Sequence, residues 1–193
     1  MKALLRGAAG LALALAAGVG AVAQETPMPL HGAPRSVPNV SFIDEGGRKL
    51  TLEDFRGRTV LLNLWATWCV PCVEEMPTLD ALQRALGGPG FEVVALSIDR
   101  AGVEAIRAFY EKLGLGFLAI YNDPSSRASI ATDAGGLPTT LLIDGEGREL
   151  GRLVGPAQWD APEMAEFLRG FIASSEAGSA ATPRRSVWGR RAP

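Results

Sequence analysis

Two cysteines separated by two residues lie where a long apolar run gives way to a helical pattern. Residues 59–66, Thr-Val-Leu-Leu-Asn-Leu-Trp-Ala, follow Gly57 and are almost all apolar, as expected of a central strand buried on both faces. From Pro71 to Leu86 apolar residues recur every three or four positions, which predicts an amphipathic helix. Cys69 and Cys72 are therefore expected in the turn from strand into helix.

Their position at a helix start predicts that the two cysteines form a redox-active pair. Two intervening residues on a first helical turn bring the sulfurs close enough to bond, and the unpaired N–H groups of a helix start favour a thiolate. Cys69 is expected to have the lowered thiol pKa and to act as the nucleophile, while the less exposed Cys72 resolves the mixed disulfide. The alternative is an inert bridge, but so short a loop has little chain entropy to remove.

The rest of the chain alternates between strand-like and helix-like segments, which favours an α/β fold. Glycine-containing turns predict two hairpins, one near each end of the folded region. Strands are predicted at 40–44, 48–51, 91–98, 117–121, 139–144 and 149–154, and helices at 103–113 and from about 162 to 172.

Four segments are predicted along the chain. Residues 1–23 begin with Lys2 and Arg6, continue as an uncharged stretch over 7–23 and end Ala-Val-Ala, which indicates a signal peptide or, if it is retained, a signal anchor in the membrane. Export places the protein in the periplasm or outside the cell, where thiols are oxidised. Residues 24–38 hold four prolines and predict an extended tether, 39–173 the folded domain, and 174–193 a disordered arginine-rich tail.

Composition excludes several classes of function. The formal net charge of −2 gives no general attraction to nucleic acid. Two cysteines and one histidine cannot complete a four-coordinate zinc site within one chain, so no metal site is expected. No organic cofactor is expected either, because the Cys69–Cys72 disulfide can itself carry the redox chemistry.

Residues 63–77, Asn-Leu-Trp-Ala-Thr-Trp-Cys-Val-Pro-Cys-Val-Glu-Glu-Met-Pro, resemble the active-site region of exported thioredoxin-fold oxidoreductases of the TlpA/ResA/CcmG group, and TlpA-like proteins most closely. The resemblance continues at 91–99, 136–144 and 155–159, so it covers essentially all of 39–173. It implies a thioredoxin-like fold, in which helices flank a central mixed β-sheet and a β-hairpin extends the N-terminus. A monomer is expected.

The resemblance also assigns site residues. It makes Cys69 the nucleophile, Cys72 the resolving thiol and Pro138 a cis-proline that faces the disulfide, while the backbone of Leu137 meets the substrate. Gly135 and Gly136 permit the sharp turn that such a proline needs. The predicted substrate-contacting set is Trp68, Val70, Pro71, Leu137 and Pro138, with simple packing as the alternative for Trp68.

An acidic residue is expected to assist the thiols. Thioredoxin carries a buried acid beneath its cysteines where this chain has Asn63, and Glu75, three residues after Cys72, matches a glutamate that ResA-like proteins hold near their cysteines. We therefore expect Glu75 to raise the thiol pKa values or to relay a proton. A solvated helix charge is the alternative for Glu75, and Glu74 is expected to face solvent.

The predicted activity is reduction of disulfides in an exported partner protein, followed by re-reduction by a membrane thiol reductant of the DsbD/CcdA kind. TlpA-like relatives reduce copper-site proteins for cytochrome oxidase, which is the favoured role, and ResA/CcmG-like relatives reduce the haem-binding cysteines of apocytochrome c. Three alternatives to the favoured role remain open. The protein reduces apocytochrome c during cytochrome c maturation, or it donates disulfides to its partners, or it is a non-catalytic binding module that the disulfide latches. Copper chaperones of the Sco kind are disfavoured, because no histidine follows His31.

Overall fold

The computed structural model describes residues 26–181, with only the backbone of 176–181. Eight strands are present: β1 (Leu30–Ser36), β2 (Ser41–Asp44), β3 (Lys49–Thr51), β4 (Thr59–Trp65), β5 (Phe91–Ser97), β6 (Tyr121–Asn122), β7 (Thr139–Ile143) and β8 (Arg148–Val154). Four α-helices accompany them: α1 (Val70–Leu86), α2 (Val103–Leu113), α3 (Arg127–Ala131) and α4 (Pro162–Ala181). A 3₁₀ helix spans Leu52–Phe55.

All the strands belong to one mixed sheet with the order β1-β8-β7-β4-β5-β6-β2-β3. The central strand β4 pairs in parallel with β5 and antiparallel with β7, and all seven of its residues are buried. This confirms the prediction of a mid-sheet strand covered on both faces, and the thioredoxin-like arrangement of helices around a mixed sheet.

Alternate side chains of β4 enter two separate apolar clusters, because successive residues of a strand point to opposite faces. Leu61 and Trp65 pack with residues of α1, α2 and α4, while Leu62 and Leu64 pack on the other face with residues of β2, β5 and the 3₁₀ helix. Asn63 lies on the same face as Leu61 and Trp65, so a polar side chain enters the cluster that contains α1.

Most predicted elements are confirmed within one or two residues, including the hairpins β2–β3 and β7–β8 and the helix over 103–113. The strand predicted at 117–121 is instead the short β6. The Asp80 carboxylate accepts hydrogen bonds from the backbone N–H groups of Phe117 and Leu118, at 2.8 and 2.9 Å, which satisfies these donors outside the sheet. Helix α3 has five residues and was not predicted, because it is too short to show a periodicity.

The tether prediction over 24–38 is wrong for most of that segment. Residues 30–36 form β1, which pairs antiparallel with β8 at the edge of the sheet, and Met28 just before it is fully buried. An edge strand tolerates Pro34, because a missing N–H there need not break the pairing with β8. His31 of β1 lies 2.7 Å from the Glu149 carboxylate of β8.

The disordered tail was predicted to begin at residue 174, but α4 continues to Ala181. Alanines within 174–181 favour the helical extension. The predicted signal segment 1–23 and the rest of the predicted tail, 182–193, lie outside the described residues. Between residues 26 and 181, no helix is both long and apolar enough to cross a membrane.

The ion-pair cluster around Glu149 should stabilise the attachment of β1. Arg152 donates to Glu149 Oε1 and Oε2 at 2.6 and 2.7 Å. Burial acts to raise the pKa of Glu149, but hydrogen bonds from Arg152 and His31 outweigh it and hold the pKa below its usual value of 4.5. The ionised carboxylate therefore stabilises the fold above pH 4.5, and this contribution is lost as the pH falls through the lowered pKa.

We expect Glu149→Gln to lower the free energy of unfolding at pH 7 by about 1.5–3 kcal/mol, the range for hydrogen bonds to a charged group. The loss should shrink in acid, and urea unfolding at several pH values measures it. Glu146→Gln is the matched control, because its side chain is 72% exposed in the same hairpin. Equal losses in both variants, or a loss at Glu149 that does not vary with pH, would contradict the assignment.

Candidate active site

The two cysteines form a disulfide at the start of α1, with the sulfurs 2.06 Å apart. Cys69 is the N-cap residue of this helix, and its sulfur also accepts the N–H of Cys72 at 3.3 Å. The strand-to-helix position predicted for the pair is thus confirmed. Cys69 retains 7% exposure and Cys72 none, so Cys69 is the cysteine that another molecule can approach.

A buried carboxylate fixes the segment that leads into Cys69. Asp99 follows β5, and its two oxygens accept from the N–H and the hydroxyl of Thr67, both at 2.9 Å. Ser97 donates a further hydrogen bond to Asp99 at 2.7 Å. Sequence reasoning did not single out Asp99. The sequence did contain a signal for Asp99. It is an acid just beyond the carboxyl end of a buried strand, at the end of the sheet where the cysteines also lie.

The Leu137–Pro138 peptide bond is cis, as the resemblance implied. Thr139, the next residue, pairs with Leu64 near the carboxyl end of β4. Pro138 therefore lies at the same end of the central strands as the loop that carries the cysteines. The carbonyl oxygen of Pro138 accepts the N–H of Gly155 at 2.9 Å. The backbone N–H and C=O of Leu137 form no hydrogen bond within residues 26–181.

Exposed apolar side chains flank the disulfide. Trp68 and Val70 are each 67% exposed, although both are large and hydrophobic, whereas Pro71 is half-buried. The exposure of Trp68 argues against the alternative that it is a packing residue. Trp65 is fully buried and belongs to the core, as predicted.

The Glu75 side chain points into the protein and is only 3% exposed, so the alternative of a solvated helix charge is wrong. Its Oε1 accepts from Asn63 Nδ2 at 2.8 Å. Its Oε2 accepts from the indole Nε1 of Trp159 at 2.9 Å and from the backbone N–H of Ala157 at 3.0 Å. Glu74, the neighbour on α1, is exposed as predicted.

Asn63 and Glu75 form one buried polar group rather than two independent features. The Asn63 amide also donates to the Thr140 hydroxyl at 2.9 Å, while its Oδ1 has no partner among the described residues. Sequence reasoning named Asn63 only as the site of a missing acid. It assigned no role to Ala157, Trp159 or Thr140, although Trp159 ends a segment that carried the resemblance.

The environment of Glu75 disfavours its charge. Burial raises the pKa of the Glu75 carboxyl above its usual value of 4.5, and the hydrogen bonds from Trp159, Ala157 and Asn63 oppose this effect only in part. No cation in the described part of the chain forms an ion pair with Glu75. Across residues 26–181, no three metal-ligating side chains lie close enough together to hold a metal ion.

Comparison of the sequence with known proteins identifies a family and several relatives. Residues 33–168 match the model of the Redoxin family. The thiol-disulfide oxidoreductase ResA of Bacillus thuringiensis (strain Al Hakam) is 32% identical over 138 residues, which cover 72% of this chain and 75% of that protein. ResA of Bacillus subtilis (strain 168) is 33% identical over 111 residues, covering 58% of this chain and 61% of that protein.

Solved structures support the fold. The thioredoxin domain of a thiol-disulfide oxidoreductase from Bacteroides vulgatus superposes with a TM-score of 0.61 at 24% identity, covering 72% of this chain and 98% of that one. A thioredoxin-family thiol:disulfide interchange protein from Chlorobium tepidum TLS gives a TM-score of 0.57 at 22% identity, covering 74% and 99%. At these identities the likeness concerns the fold alone.

The raised pKa of Glu75 should appear in the stability of the oxidised protein. Above pH 4.5 the unfolded chain ionises Glu75 before the folded chain does, so the wild type should lose stability as the pH rises towards the folded pKa. The slope between the two pKa values is about 1.4 kcal/mol per pH unit. Glu75→Gln cannot ionise and should lack this loss. Urea unfolding from pH 4 to pH 8 tests the difference, with exposed Glu74→Gln expected to parallel the wild type.

Proposed function

Because the chain belongs to the Redoxin family and is a thiol-disulfide oxidoreductase of the ResA type, we propose that it reduces disulfides in exported partner proteins. One observation carries the proposal: the Cys69–Cys72 disulfide caps α1 beside an exposed apolar surface. Only Cys69 is accessible, so it makes the first contact with the partner. The relatives favour this enzymatic role over a non-catalytic binding module.

The reaction is a two-step exchange. In the reduced protein, the Cys69 thiolate attacks one sulfur of the target disulfide, and the other target sulfur leaves as a thiolate and takes up a proton. Cys72 then loses its proton and attacks the Cys69 sulfur, which breaks the mixed disulfide and releases the second target thiolate. Two electrons pass to the target, and the protein ends in the oxidised form seen in the structure.

Glu75 is the group placed to handle the proton of Cys72. It lies three residues after Cys72 on the same helix, within the range of neighbouring helical positions. Its burial raises the pKa of its carboxyl, so it can hold a proton closer to neutral pH than an exposed glutamate can. We assign Glu75 as the residue that accepts the Cys72 proton during resolution.

The partner protein is proposed to dock on the apolar surface formed by Trp68, Val70 and Pro71. The backbone N–H and C=O of Leu137, which have no partner within residues 26–181, supply hydrogen bonds to an extended substrate segment beside the cis-proline Pro138. Backbone hydrogen bonds of this kind do not depend on the side chains of the partner. The contact therefore suits recognition of an exposed disulfide segment more than recognition of one sequence.

The proposal also covers the location of the protein, the source of its electrons and its target proteins. The signal-like segment 1–23 supports a periplasmic or exported location, with anchoring through residues 7–23 if the segment is retained. A reductant in an oxidising compartment needs an electron source, which we propose to be a membrane thiol reductant of the DsbD/CcdA kind. The proposed targets are copper-site proteins of cytochrome oxidase, with the haem-binding cysteines of apocytochrome c as the alternative.

The reduction potential of the Cys69–Cys72 pair tests the direction of electron flow. The protein would be equilibrated in defined redox buffers at pH 7, and the reduced fraction would be measured by alkylation of its thiols. A reductant should have a potential near that of thioredoxin, about −270 mV, and should reduce a model protein disulfide. A potential near −120 mV would make the protein a disulfide donor and overturn the proposal.

Target identity can be tested by trapping. Cys72→Ser should stall the reaction at the mixed disulfide, because Cys69 can attack but nothing resolves the product. We expect disulfide-linked complexes on non-reducing gels of cells that export this variant, and mass spectrometry then decides between copper-site proteins and apocytochrome c. The double variant Cys69→Ser, Cys72→Ser is the matched control. Complexes that persist in that control, or none with the single variant, would contradict the mechanism.

A further inference from the structure

Trp159 connects the loop over residues 155–159 to α1 at two points. Its indole N–H donates to Glu75 Oε2 at 2.9 Å, and its backbone N–H donates to the Thr78 hydroxyl at 3.1 Å. The side chain is fully buried within the apolar cluster that contains both cysteines. The loop therefore contacts the same helix face that carries Cys72, without supplying a group that reacts.

All three protein partners of the Glu75 carboxyl are donors. Trp159, Ala157 and Asn63 each direct an N–H at the carboxyl, and an ionised carboxylate accepts all three. The O–H of a protonated carboxyl finds no acceptor at the N–H groups of Trp159 and Ala157, and it would need the Asn63 amide to turn its Oδ1, which has no partner among the described residues, towards Glu75. The arrangement therefore favours the ionised form against the effect of burial, and Trp159 supplies the largest of these opposing contributions.

A small open cavity borders Glu75. It has a volume of about 260 Å³ and is lined by Glu74, Glu75, Pro156, Ala157 and Gln158. Neither cysteine lines it, nor do Leu137 and Pro138. The cavity therefore shares no residue with the proposed docking surface.

We propose that Trp159 is a positioning residue that sets the proton affinity of Glu75, and that Glu75 exchanges its proton with solvent through the cavity under residues 156–158. Electrons are then transferred to the partner at the docking surface, whereas Glu75 exchanges its proton with solvent beside the loop over residues 155–159. The inference rests on the proposed function in one respect, namely that the proton held by Glu75 is the one used in the exchange.

Few other groups can titrate near Glu75. On α1 these are Glu74 at the cavity rim and Cys72, which does not ionise while it is in the disulfide. From the strands, Asn63 contacts the carboxyl and Thr140 contacts Asn63, and neither side chain titrates. The loop contributes Trp159 and the backbone of Ala157, and Glu163 and Glu166 of α4 border the adjoining cleft. In the oxidised protein, a titration at Glu75 can therefore be followed without interference from the thiols.

The decisive variant is Trp159→Phe, which keeps an aromatic ring and removes the N–H. We expect the Glu75 midpoint, read from its carboxyl ¹³C resonance in the oxidised full chain, to rise by about one pH unit. The pH profile of disulfide reduction should move in the same direction. Trp65→Phe is the matched control, because Trp65 is also fully buried but its indole N–H has no partner within the described chain.

An unchanged Glu75 midpoint in Trp159→Phe would overturn the proposal, as would an equal shift in Trp65→Phe. A second measurement leaves Trp159 in place. In the wild type, the indole ¹H–¹⁵N resonance of Trp159 should titrate with the Glu75 midpoint, and Glu75→Gln should abolish that transition. A Trp159 resonance that stays constant while Glu75 titrates would also overturn it.

Failure of this inference is distinguishable from failure of the proposed function. If the wild type reduces protein disulfides but Trp159→Phe leaves the Glu75 titration unchanged, the positioning role is wrong and the function stands. If the wild type has the potential of a disulfide donor, the function is wrong even where Trp159 and Glu75 titrate together.

Discussion

The burial of β4 on both faces is the constraint from which the rest of the site follows. A strand with no exposed residue needs cover on each side, which α1, α2 and α4 provide on one face and β2, the 3₁₀ helix and α3 on the other. Because only four residues join this strand to α1, the cysteines at the N-cap and in the first turn of that helix lie at the rim of the core. Reactivity at Cys69 and protection of Cys72 are thus both consequences of where the strand ends.

The polar group beneath the disulfide is costly for such a core. A carboxylate without a cationic partner and an amide oxygen without a donor both oppose folding, and hydrogen bonds compensate for only part of the cost. Asn63, Glu75 and Trp159 come from a strand, a helix and a loop that are far apart in the chain. Their convergence on one carboxyl is easier to explain by proton handling than by stability, since apolar residues would pack there at lower cost.

The elements that were predicted correctly are those whose hydrophobic spacing or turn residues lie within a short stretch of sequence. The apolar run of β4, the helical spacing of α1 and the glycine turns of two hairpins each lie within a short window of sequence. The elements that were missed depend on distant partners: His31 meets Glu149 across 118 residues, and Trp159 meets Glu75 across 84. Prolines argued against β1, because only the presence of β8 beside it makes an edge strand there favourable.

The N-terminal residues also determine how the domain would sit if the signal segment stayed in a membrane. With Met28 buried and the carbonyl of Pro29 bonded to the Arg152 N–H, the folded domain begins almost directly after the segment 1–23. Thr26 and Pro27 line a cleft with Ala157 and Gln158, the loop beside Glu75. A retained anchor would thus be joined to the domain by only the few residues between 23 and Met28, which would keep the domain close to the lipid.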